Sequence, residues 1–400
     1  MMALYEGIAL IQEKQAVVLD LGTDYTKFGF TGEPAPRCII RSEFWCPATR
    51  RMKRVHDYAT PDELYENLVH MLHLLYFRHV LVNPKERKVV VVESLLTPTL
   101  FRETLAKVLF LHYEVSGALW ADGPRLCALT LGTPAALVVS LGAEEAEVNA
   151  VVHGAVVLRA LQAGPLGARA VRRELARLLA CQGPQAPQPP QAPQSPQAPQ
   201  PAPDDLPDDM LEDIMVKACF VPGRARALQW QAAPPTPPTR GVLYPRAGAG
   251  GAVWVGGAAR ELAAEPLFAR DHELAALPDL VLQCIAQSPI DARRALAENV
   301  LVTGGLAEMP GLRARLAQEL RHLVAQPPYR SRLSVRTFKF HGAVSPGNSG
   351  AWVGGALLAA GGGDALAARA LPRDVYARER RVRDWACLLD AAPPAARSRL

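Results

Sequence analysis

The stretch "AVVLDLGTDYTKFGF", residues 16–30, decides the fold class. Apolar residues run up to Asp20, the segment Leu21-Gly22-Thr23 predicts a tight turn, and "TKFGFTG" predicts a returning strand that carries Lys27. Backbone N–H groups at such a turn, together with a nearby cation, are groups that hold a phosphate. The stretch therefore predicts a β-hairpin shaped to bind phosphate.

A second stretch repeats this pattern 120 residues further along the chain. "VVLDLG" ends at Gly22 and "LVVSLG" ends at Gly142, and each is followed by a second predicted strand. Two such units indicate two related domains, each offering a hairpin to a shared cleft. The alternative is two coincidental hairpins in a chain rich in Val, Leu and Gly.

Strands and helices alternate elsewhere. "TPDELYENLVHMLHLLYFRHV" predicts a helix with Thr60 as N-cap, Pro61 at the first position and Glu63 completing a capping box. Its apolar residues share one face: Leu64, Leu68, Met71, Leu72, Leu75 and Tyr76. "KVVVVES", "AALVVSLG" and "ENVLVTGG" predict strands, and "TPTLFRETLAKVLFLHY" and "PGLRARLAQELRHLV" predict helices. The alternation favours an α/β fold.

A Pro/Gln-rich segment interrupts this pattern. Residues 183–205 repeat a Pro-Gln-Ala theme without any apolar side chain larger than alanine, which predicts a disordered insert that acts as a spacer. The following acidic stretch, "PDDLPDDMLEDI", predicts the start of a helix because carboxylates stabilise helix N-termini.

Composition argues against several classes of function. The net charge of +5 is spread along the chain without a basic block, so we expect no nucleic-acid binding. The seven cysteines form no CxxC pair or zinc-like spacing, and the N-terminus lacks the features of a signal peptide. No apolar run approaches the ~18 residues that span a bilayer. We therefore expect an intracellular protein without membrane insertion.

Together, three motifs resemble the actin and actin-related protein family. "DLGTDYTKFGFTGEPAPR" resembles its first phosphate loop, "SPIDARRALAENVLVTGGLAEMPGL" its adenine-side strand, double glycine and helix, and "SGAWVGGALLAA" the strand and glycine turn that close the fold. The resemblance extends from about residue 15 to 390 and implies two pseudo-repeated domains, each a mixed sheet flanked by helices, around a central nucleotide cleft. Residues 1–132 with 341–400 would form the first domain, and 133–340 the second.

The resemblance also implies a bound cofactor, ATP or ADP with Mg²⁺. The family positions that contact it are matched here by Asp20, Gly22, Thr23, Lys27, Gly142, Gly304 and Gly305. Asp20 would hold Mg²⁺ through water, and Lys27 would contact the phosphates. If no nucleotide binds, Asp20 and Lys27 would form an ordinary charged pair across a hairpin.

The second hairpin departs from the family pattern. Ser140 and Ala143 stand where the family carries aspartates, and Glu144 replaces a glycine. In the first hairpin, Asp24 replaces a small residue and adds a negative charge near the phosphates.

Other family positions have changed as well. There is no glutamine near Pro124-Arg125 to position the attacking water, and Gln162 is not an obvious substitute. Met215 and Val216 replace a charged pair on the nucleoside side, and Asn348 replaces a lysine. Losing one positioning or electrostatic group typically costs ~10²-fold or more in rate, so we expect no enzymatic activity.

The segment at about residues 38–61 is shorter than the pointed-end subdomain of a conventional actin. The resemblance is strongest to the branch that caps the pointed end of dynactin's actin-related filament, which implies adjacent actin-related subunits and other dynactin pointed-end subunits as partners. That branch works with dynein and microtubules in the cytoplasm and cytoskeleton. Arg50, Arg51, Lys53 and Arg54 are candidate contacts for an acidic partner, the alternative being a solvated basic loop.

Three other functions are open to a chain of this family. It could be an actin-like ATPase, or a sugar kinase or chaperone ATPase of the same superfamily, although no carboxylate stands out as the catalytic group of a sugar kinase. It could be a nuclear actin-related subunit of a chromatin-remodelling complex, although no basic nuclear-targeting block is present. It could also be a polymerising actin, which the shortened segment argues against.

Overall fold

The computed structural model describes residues 15–85, 87–182, 206–246, 252–270, 275–342, 348–360, 366 and 368–383. The predicted insert at 183–205 lies outside the described residues. The strands are β1 Val17–Leu21, β2 Tyr25–Phe30, β3 Cys38–Arg41, β4 Glu43–Cys46, β5 Arg51–Arg54, β6 Lys88–Glu93, β7 Gly117–Asp122, β8 Ala135–Leu141, β9 Ala146–Val152, β10 Ala155–Val156, β11 Gln162–Gly164, β12 Val242–Pro245, β13 Ala252–Val255, β14 Val300–Gly304, β15 Phe340–His341 and β16 Leu371–Pro372.

Helices connect most of these strands. They are α1 Pro61–Leu74, α2 Thr99–Lys107, α3 Gly123–Leu131, α4 Ala168–Cys181, α5 Asp208–Ala218, α6 Arg224–Ala232, α7 Gly257–Leu262, α8 Leu277–Gln287, α9 Arg293–Glu298, α10 Leu312–Val324, α11 Tyr329–Arg332, α12 Gly350–Ala360 and α13 Arg373–Glu379. Two π-helical segments, Leu75–Val80 and Val108–His112, continue α1 and α2. Short 3-10 turns cover Leu158–Ala160, Glu265–Leu267 and Gly305–Glu308.

The described residues form two compact units, one within 1–136, 151–158 and 342–400 and the other within 137–150 and 159–341. The first unit contains a six-stranded mixed sheet in the order β16-β7-β6-β1-β2-β3. Strands β1, β6 and β7 run parallel, whereas β2 returns antiparallel to β1. The mixed strand directions and the α/β class confirm the prediction of a mixed sheet flanked by helices.

Alternate residues of β1 face two different cores. Val17 and Leu19 pack in a cluster with α1 and α2, and Val18 packs in a second cluster that includes Trp352 of α12. Because helices cover both faces of a sheet of this kind, its central strands read as continuous apolar runs. This explains the patterns "AVVL" and "KVVVV".

Helix α1 begins as its sequence predicts. The Thr60 side chain accepts a hydrogen bond from the Glu63 backbone N–H at 3.2 Å, and the Glu63 carboxylate accepts one from the Ala59 N–H at 2.8 Å. The first bond satisfies a helix N–H that has no partner within the helix. The second binds the N–H of the residue before the N-cap, one position earlier than in the predicted capping box. The six apolar residues assigned to its inner face are all fully buried.

The second unit contains most of β8 and β9, together with β11, β14 and β15. These strands follow the order β9-β8-β14-β15, with β11 pairing β9. Strand β14 runs parallel to both β8 and β15. The acidic stretch after the insert starts α5, with Asp208 and Asp209 in its first turn, as the sequence predicts.

The assignment of "SGAWVGGALLAA" to a strand and a glycine turn is wrong. The segment forms α12, whose Trp352 is fully buried and donates its indole N–H to the Val18 carbonyl at 3.0 Å. A Cβ on Gly354 would lie 2.1 Å from the Leu126 carbonyl oxygen in α3. The glycines of this segment therefore allow two helices to pack closely, rather than turning the chain.

In the part of the chain that the structure describes, no helix is both long and apolar enough to cross a membrane.

Candidate nucleotide-binding site

The first glycine turn links β1 to β2 through residues 22–25. The Gly22 N–H donates to the Tyr25 carbonyl oxygen at 3.2 Å, and a Cβ on Gly22 would lie 2.8 Å from the same oxygen. Real Cβ atoms essentially never come this close, so the turn requires glycine at this position. Thr23 follows it at the tip and is half-buried.

Asp20 and Lys27 face each other across the hairpin. They are directly opposed in the β1–β2 register, and Lys27 Nζ donates to Asp20 Oδ2 at 2.8 Å. Their side chains retain only 17% and 13% exposure. A carboxylate and an ammonium held beside a tight turn are groups that can hold a hydrated Mg²⁺ and a phosphate, so these residues fit the cofactor.

Ser42, which lies between β3 and β4, makes hydrogen bonds to residues of the first turn. Its N–H donates to the Asp24 carbonyl at 2.9 Å, and its hydroxyl donates to the Gly22 carbonyl and lies 2.8 Å from the Thr26 hydroxyl. Ser42 is 2% exposed. Sequence reasoning missed this residue, because nothing in "IIRSEF" indicates a contact that spans 20 positions.

The second glycine turn has the same backbone geometry. The Gly142 N–H donates to the Glu145 carbonyl at 2.9 Å, and a Cβ on Gly142 would lie 3.1 Å from that oxygen. In both turns the glycine bonds the third residue after it. The similar stretches "VVLDLG" and "LVVSLG" therefore lead into turns with the same hydrogen bond.

A helix terminus holds this second turn. The N–H groups of Gly167, Ala168 and Arg169 at the start of α4 donate to the carbonyls of Glu144, Gly142 and Ala143 at 3.2, 2.9 and 2.8 Å. A Cβ on Gly167 would lie 2.4 Å from the Ala143 oxygen. The first donors of a helix have no partner within the helix, so here the turn satisfies them.

The double glycine ends a strand beside the second turn. In the parallel β8–β14 register, Gly304 is opposite Leu141, the residue before Gly142. Gly304 has φ of +96°, and a Cβ there would lie 2.1 Å from the Leu141 oxygen, whereas a Cβ on Gly305 would meet nothing within 4 Å. Carboxyl ends of parallel strands meet at one sheet edge, where open α/β sheets bind ligands.

Comparison with known proteins identifies the family. A sequence model of the family described as Actin matches residues 63–191 and 246–366, more than half of the chain. The chain belongs to the actin family.

Several relatives are similar over most of the chain. Actin-related protein 10 of Dictyostelium discoideum is 22% identical over 87% of this chain and 83% of its own length. Actin-related protein 2 of Acanthamoeba castellanii is 23% identical over 88% and 93%, and that of Arabidopsis thaliana is 23% identical over 78% and 82%. The actin family generally binds ATP or ADP with Mg²⁺.

The second turn carries no carboxylate at residues 140 and 143, where the resemblance implies aspartates. Ser140, at the end of β8, is half-buried, and Ala143 supplies no carboxylate. The Glu144 carboxylate forms an ion pair with Arg169 at the start of α4. Glu144, the one acidic residue between Gly142 and Glu145, is thus paired with the Arg169 guanidinium.

The other residues that the family resemblance singled out lie in different surroundings. Met215 is buried in α5, while Val216 beside it is 65% exposed. The Gln162 amide donates to the Leu161 carbonyl at 2.6 Å and to the Gln287 side chain at 3.2 Å, so it is already occupied. Asn348 is exposed.

Two buried carboxylates end the parallel strands of the first sheet. Glu93 and Asp122 are opposed in the β6–β7 register, and Arg102 donates to both Glu93 oxygens at 2.7 and 2.6 Å. Asp122 is 4% exposed, with no hydrogen-bond partner for Oδ2. Burial raises the pKa of the Asp122 carboxyl, and the Arg125 charge only partly opposes this. Sequence reasoning missed Asp122, although the acidic end of "GALWAD" was a usable signal.

No cluster of three or more His, Cys, Asp or Glu side chains able to hold a metal ion occurs among the described residues. Asp20 is a single carboxylate, which suits Mg²⁺ that keeps several waters and binds substrate phosphates.

Proposed function

We propose that this protein is a non-catalytic structural subunit that caps the pointed end of dynactin's actin-related filament. It would contact the adjacent actin-related subunit, dock the other pointed-end subunits, and so support dynein-dependent transport along microtubules in the cytoplasm. The similarity to an actin-related protein 10 supports this proposal, and the observation that carries it is the small segment between Cys38 and Thr60.

That segment contains three short strands and no helix. Between residues 38 and 60 there are only β3 and the two-stranded sheet of β4 and β5, and α1 begins at Pro61. Conventional actins have a longer segment here, which forms the pointed-end subdomain where the next subunit docks.

A filament grows only if every subunit carries both halves of a head-to-tail interface. A subunit that keeps the barbed-end half and has a reduced pointed-end half can join a filament end and then stop its growth. The reduced segment thus supports a cap more than it supports a polymerising actin.

We propose that any bound nucleotide is ATP or ADP with Mg²⁺ and serves a structural role. Asp20, Gly22, Thr23 and Lys27 would hold the phosphates and the metal's water shell, with Gly142, Gly304 and Gly305 at the other candidate turns. Phosphates supply the negative charge that these turns and Lys27 bind. The changes at Ser140 and Ala143 remove carboxylates on which hydrolysis in the family relies, which supports the absence of turnover.

Microscopy of single dynactin-type actin-related filaments tests the cap directly. With the full chain added, we expect elongation to stop at the pointed end and to continue at the barbed end. Growth at both ends, or filaments formed by this chain alone, would overturn the proposal. Affinity purification from cytosol should independently recover other dynactin subunits.

A further inference from the structure

Strands β8 and β9 pair in a register that two backbone hydrogen bonds define. At the turn, the Gly142 N–H donates to the Glu145 carbonyl, and at the far end the His153 N–H donates to the Pro134 carbonyl at 2.6 Å. Both strands contain seven residues, so the pairing runs from one bond to the other without a bulge. Counted from either end, residue 140 is opposite residue 147.

This register creates a polar row across three strands. Ser140 of β8 is opposite Glu147 of β9, and in the parallel β8–β14 register Ser140 is also opposite Thr303. Neighbouring residues in register place their side chains on the same face of a sheet. Glu147 and Thr303 are each 7% exposed, and Ser140 is half-buried. One carboxylate and two hydroxyls therefore lie side by side in a largely buried setting.

A fully buried amide lies on the same face, one pair further from the turn. Asn149 follows Glu147 by two residues in β9, and side chains two positions apart on a strand point the same way. Asn149 is 0% exposed, and neither its side-chain nitrogen nor its oxygen has a hydrogen-bond partner. Buried amides are nearly always hydrogen-bonded, because burial removes their bonds to water. This side chain therefore points to a polar ligand, or to the water shell of one, beside Glu147.

Small residues leave room next to the polar row of Ser140, Glu147 and Thr303. On the other side of Glu147, its neighbour in β11 is Ala163, which is exposed. Towards the turn, Gly142 and Gly305 carry no side chain, and a Cβ on Gly305 would meet nothing within 4 Å. The carboxyl ends of the parallel strands β8 and β14 meet at this edge, where open α/β sheets bind ligands. The polar row thus borders open space at the ligand-binding end of the sheet.

We propose that the polar row binds a hydrated Mg²⁺ ion, with the Glu147 carboxylate as its charged ligand. The Ser140 and Thr303 hydroxyls and the Asn149 amide would bond the metal or its waters. These oxygen groups are hard ligands of the kind that Mg²⁺ prefers. No cluster of three or more metal-binding His, Cys, Asp or Glu side chains occurs among the described residues. Mg²⁺, which needs few carboxylates and keeps several waters, therefore fits better than Ca²⁺, which takes about 6–8 oxygen ligands.

The inference deepens the proposed function, in which Mg²⁺ accompanies ATP or ADP. Lys27 follows Gly22 by five residues, and Glu147 follows Gly142 by the same five. Equivalent positions of the two hairpins thus carry a cation, which suits a phosphate, and a carboxylate, which suits a metal. The inference rests on the proposed function for the nucleotide alone, because the polar row can bind the metal without it.

Electron paramagnetic resonance of Mn²⁺ with the full-length chain tests the site, because Mn²⁺ shares the oxygen ligands of Mg²⁺. Without nucleotide, we expect the wild type to bind Mn²⁺ at a site from which Mg²⁺ displaces it. Glu147→Gln should weaken this binding by about tenfold or more. Glu298→Gln removes a carboxylate that is 46% exposed and paired with Arg294, so this control should bind Mn²⁺ like the wild type.

A second variant should strengthen the site. Ser140→Asp places a carboxylate opposite Glu147, so the two charges repel each other in EDTA and share the cation when Mg²⁺ is present. We expect the variant to unfold at a lower temperature than the wild type in EDTA and to gain more thermal stability from Mg²⁺. A purely structural role of Glu147 would not make these two measurements depend on Mg²⁺.

Undetectable Mn²⁺ binding by the wild type, or unchanged binding by folded Glu147→Gln, would overturn the proposal. Loss of binding in Asp20→Asn, with normal binding by Glu147→Gln, would assign the cation to the first hairpin and would also overturn it. If the wild type binds Mn²⁺ at this site but neither binds labelled ATP or ADP nor caps filaments, the proposed function is contradicted and the cation site stands.

Discussion

The two glycine turns at Gly22 and Gly142 have the same backbone hydrogen bond, but different groups stabilise each turn. In both, the glycine N–H bonds the carbonyl of the third residue after it, at 3.2 and 2.9 Å. The first turn is held by the Ser42 side chain and has the Asp20–Lys27 pair beside it. The second is held by the N-terminus of α4 and carries a Glu144–Arg169 pair.

The difference shows which features the fold requires. Backbone geometry is the same in both turns because the strands on either side and the sheet contacts depend on it. Side-chain charges around the turns differ because the backbone hydrogen bonds of each turn do not depend on them. The actin-family fold is therefore compatible with different charges beside its two turns.

The largest expected loss of stability comes from disturbing the contact between the second turn and the start of α4. Gly167→Ala would put a Cβ 2.4 Å from the Ala143 carbonyl, and both partners are backbone, so neither can move cheaply. We expect the free energy of unfolding to fall by about 2–4 kcal/mol in chemical denaturation.

The control is Gly223→Ala, at the N-cap of α6. Its Cβ would meet only the flexible Gln318 amide, at 3.3 Å, so we expect a loss below about 1 kcal/mol. Equal losses in the two variants would show that α4 does not support the turn in this way.

The support of the first turn gives a smaller effect. Ser42→Ala removes the bonds to the Gly22 carbonyl and the Thr26 hydroxyl in a buried setting, so we expect a loss of about 1–2 kcal/mol by thermal or chemical unfolding. Ser331→Ala, which removes an exposed bond to the Pro328 carbonyl, should change stability by less than about 0.5 kcal/mol. If Ser42→Ala leaves the free energy of unfolding unchanged, the hydrogen bonds of the Ser42 side chain do not stabilise the first turn.

The smallest expected effect concerns the residues near the carboxyl ends of the parallel strands in the two sheets. The first ends in the buried carboxyls of Glu93 and Asp122, and the second in the hydroxyls of Ser140 and Thr303. Because the pKa of Asp122 is raised, the folded state disfavours its charged form, and this cost grows as pH rises from the ordinary aspartate pKa through the raised value. Asp122→Asn should therefore stabilise the protein at neutral pH by about 1 kcal/mol.

Below the ordinary aspartate pKa both states hold the proton, and the gain from Asp122→Asn should vanish. Denaturation curves across this pH range measure it. Asp374→Asn, at an exposed position, should give no such pH-dependent gain. A gain that persists in acid would mean that the charge of Asp122 is not the cause.

Local patterns predicted several elements of the fold, and the family resemblance supplied its topology. The hairpin at residues 16–30, the capped helix α1 and the buried strand β6 each depend on neighbours in sequence, so periodicity and turn residues were enough to find them. The segment at 349–360 was assigned wrongly because its paired glycines were matched to a glycine turn of the family. The close approach of α3, which only the folded chain reveals, explains why residue 354 of this helix is glycine.

The candidate site was harder to predict. The glycine turns and the Asp20–Lys27 pair follow from local pattern and family resemblance. Ser42 and Gly167 could not be found, because each acts on a turn about 20 residues away. Cofactor binding and the individual roles of the glycines stay predictions.

Measuring ATP hydrolysis tests most directly the claim that this chain has the actin-family fold but no ATPase activity. Release of inorganic phosphate by the purified full-length chain with Mg²⁺ should not exceed that of buffer alone, even where nucleotide is found bound. A rate comparable with that of a hydrolysing member of the actin family would contradict the account.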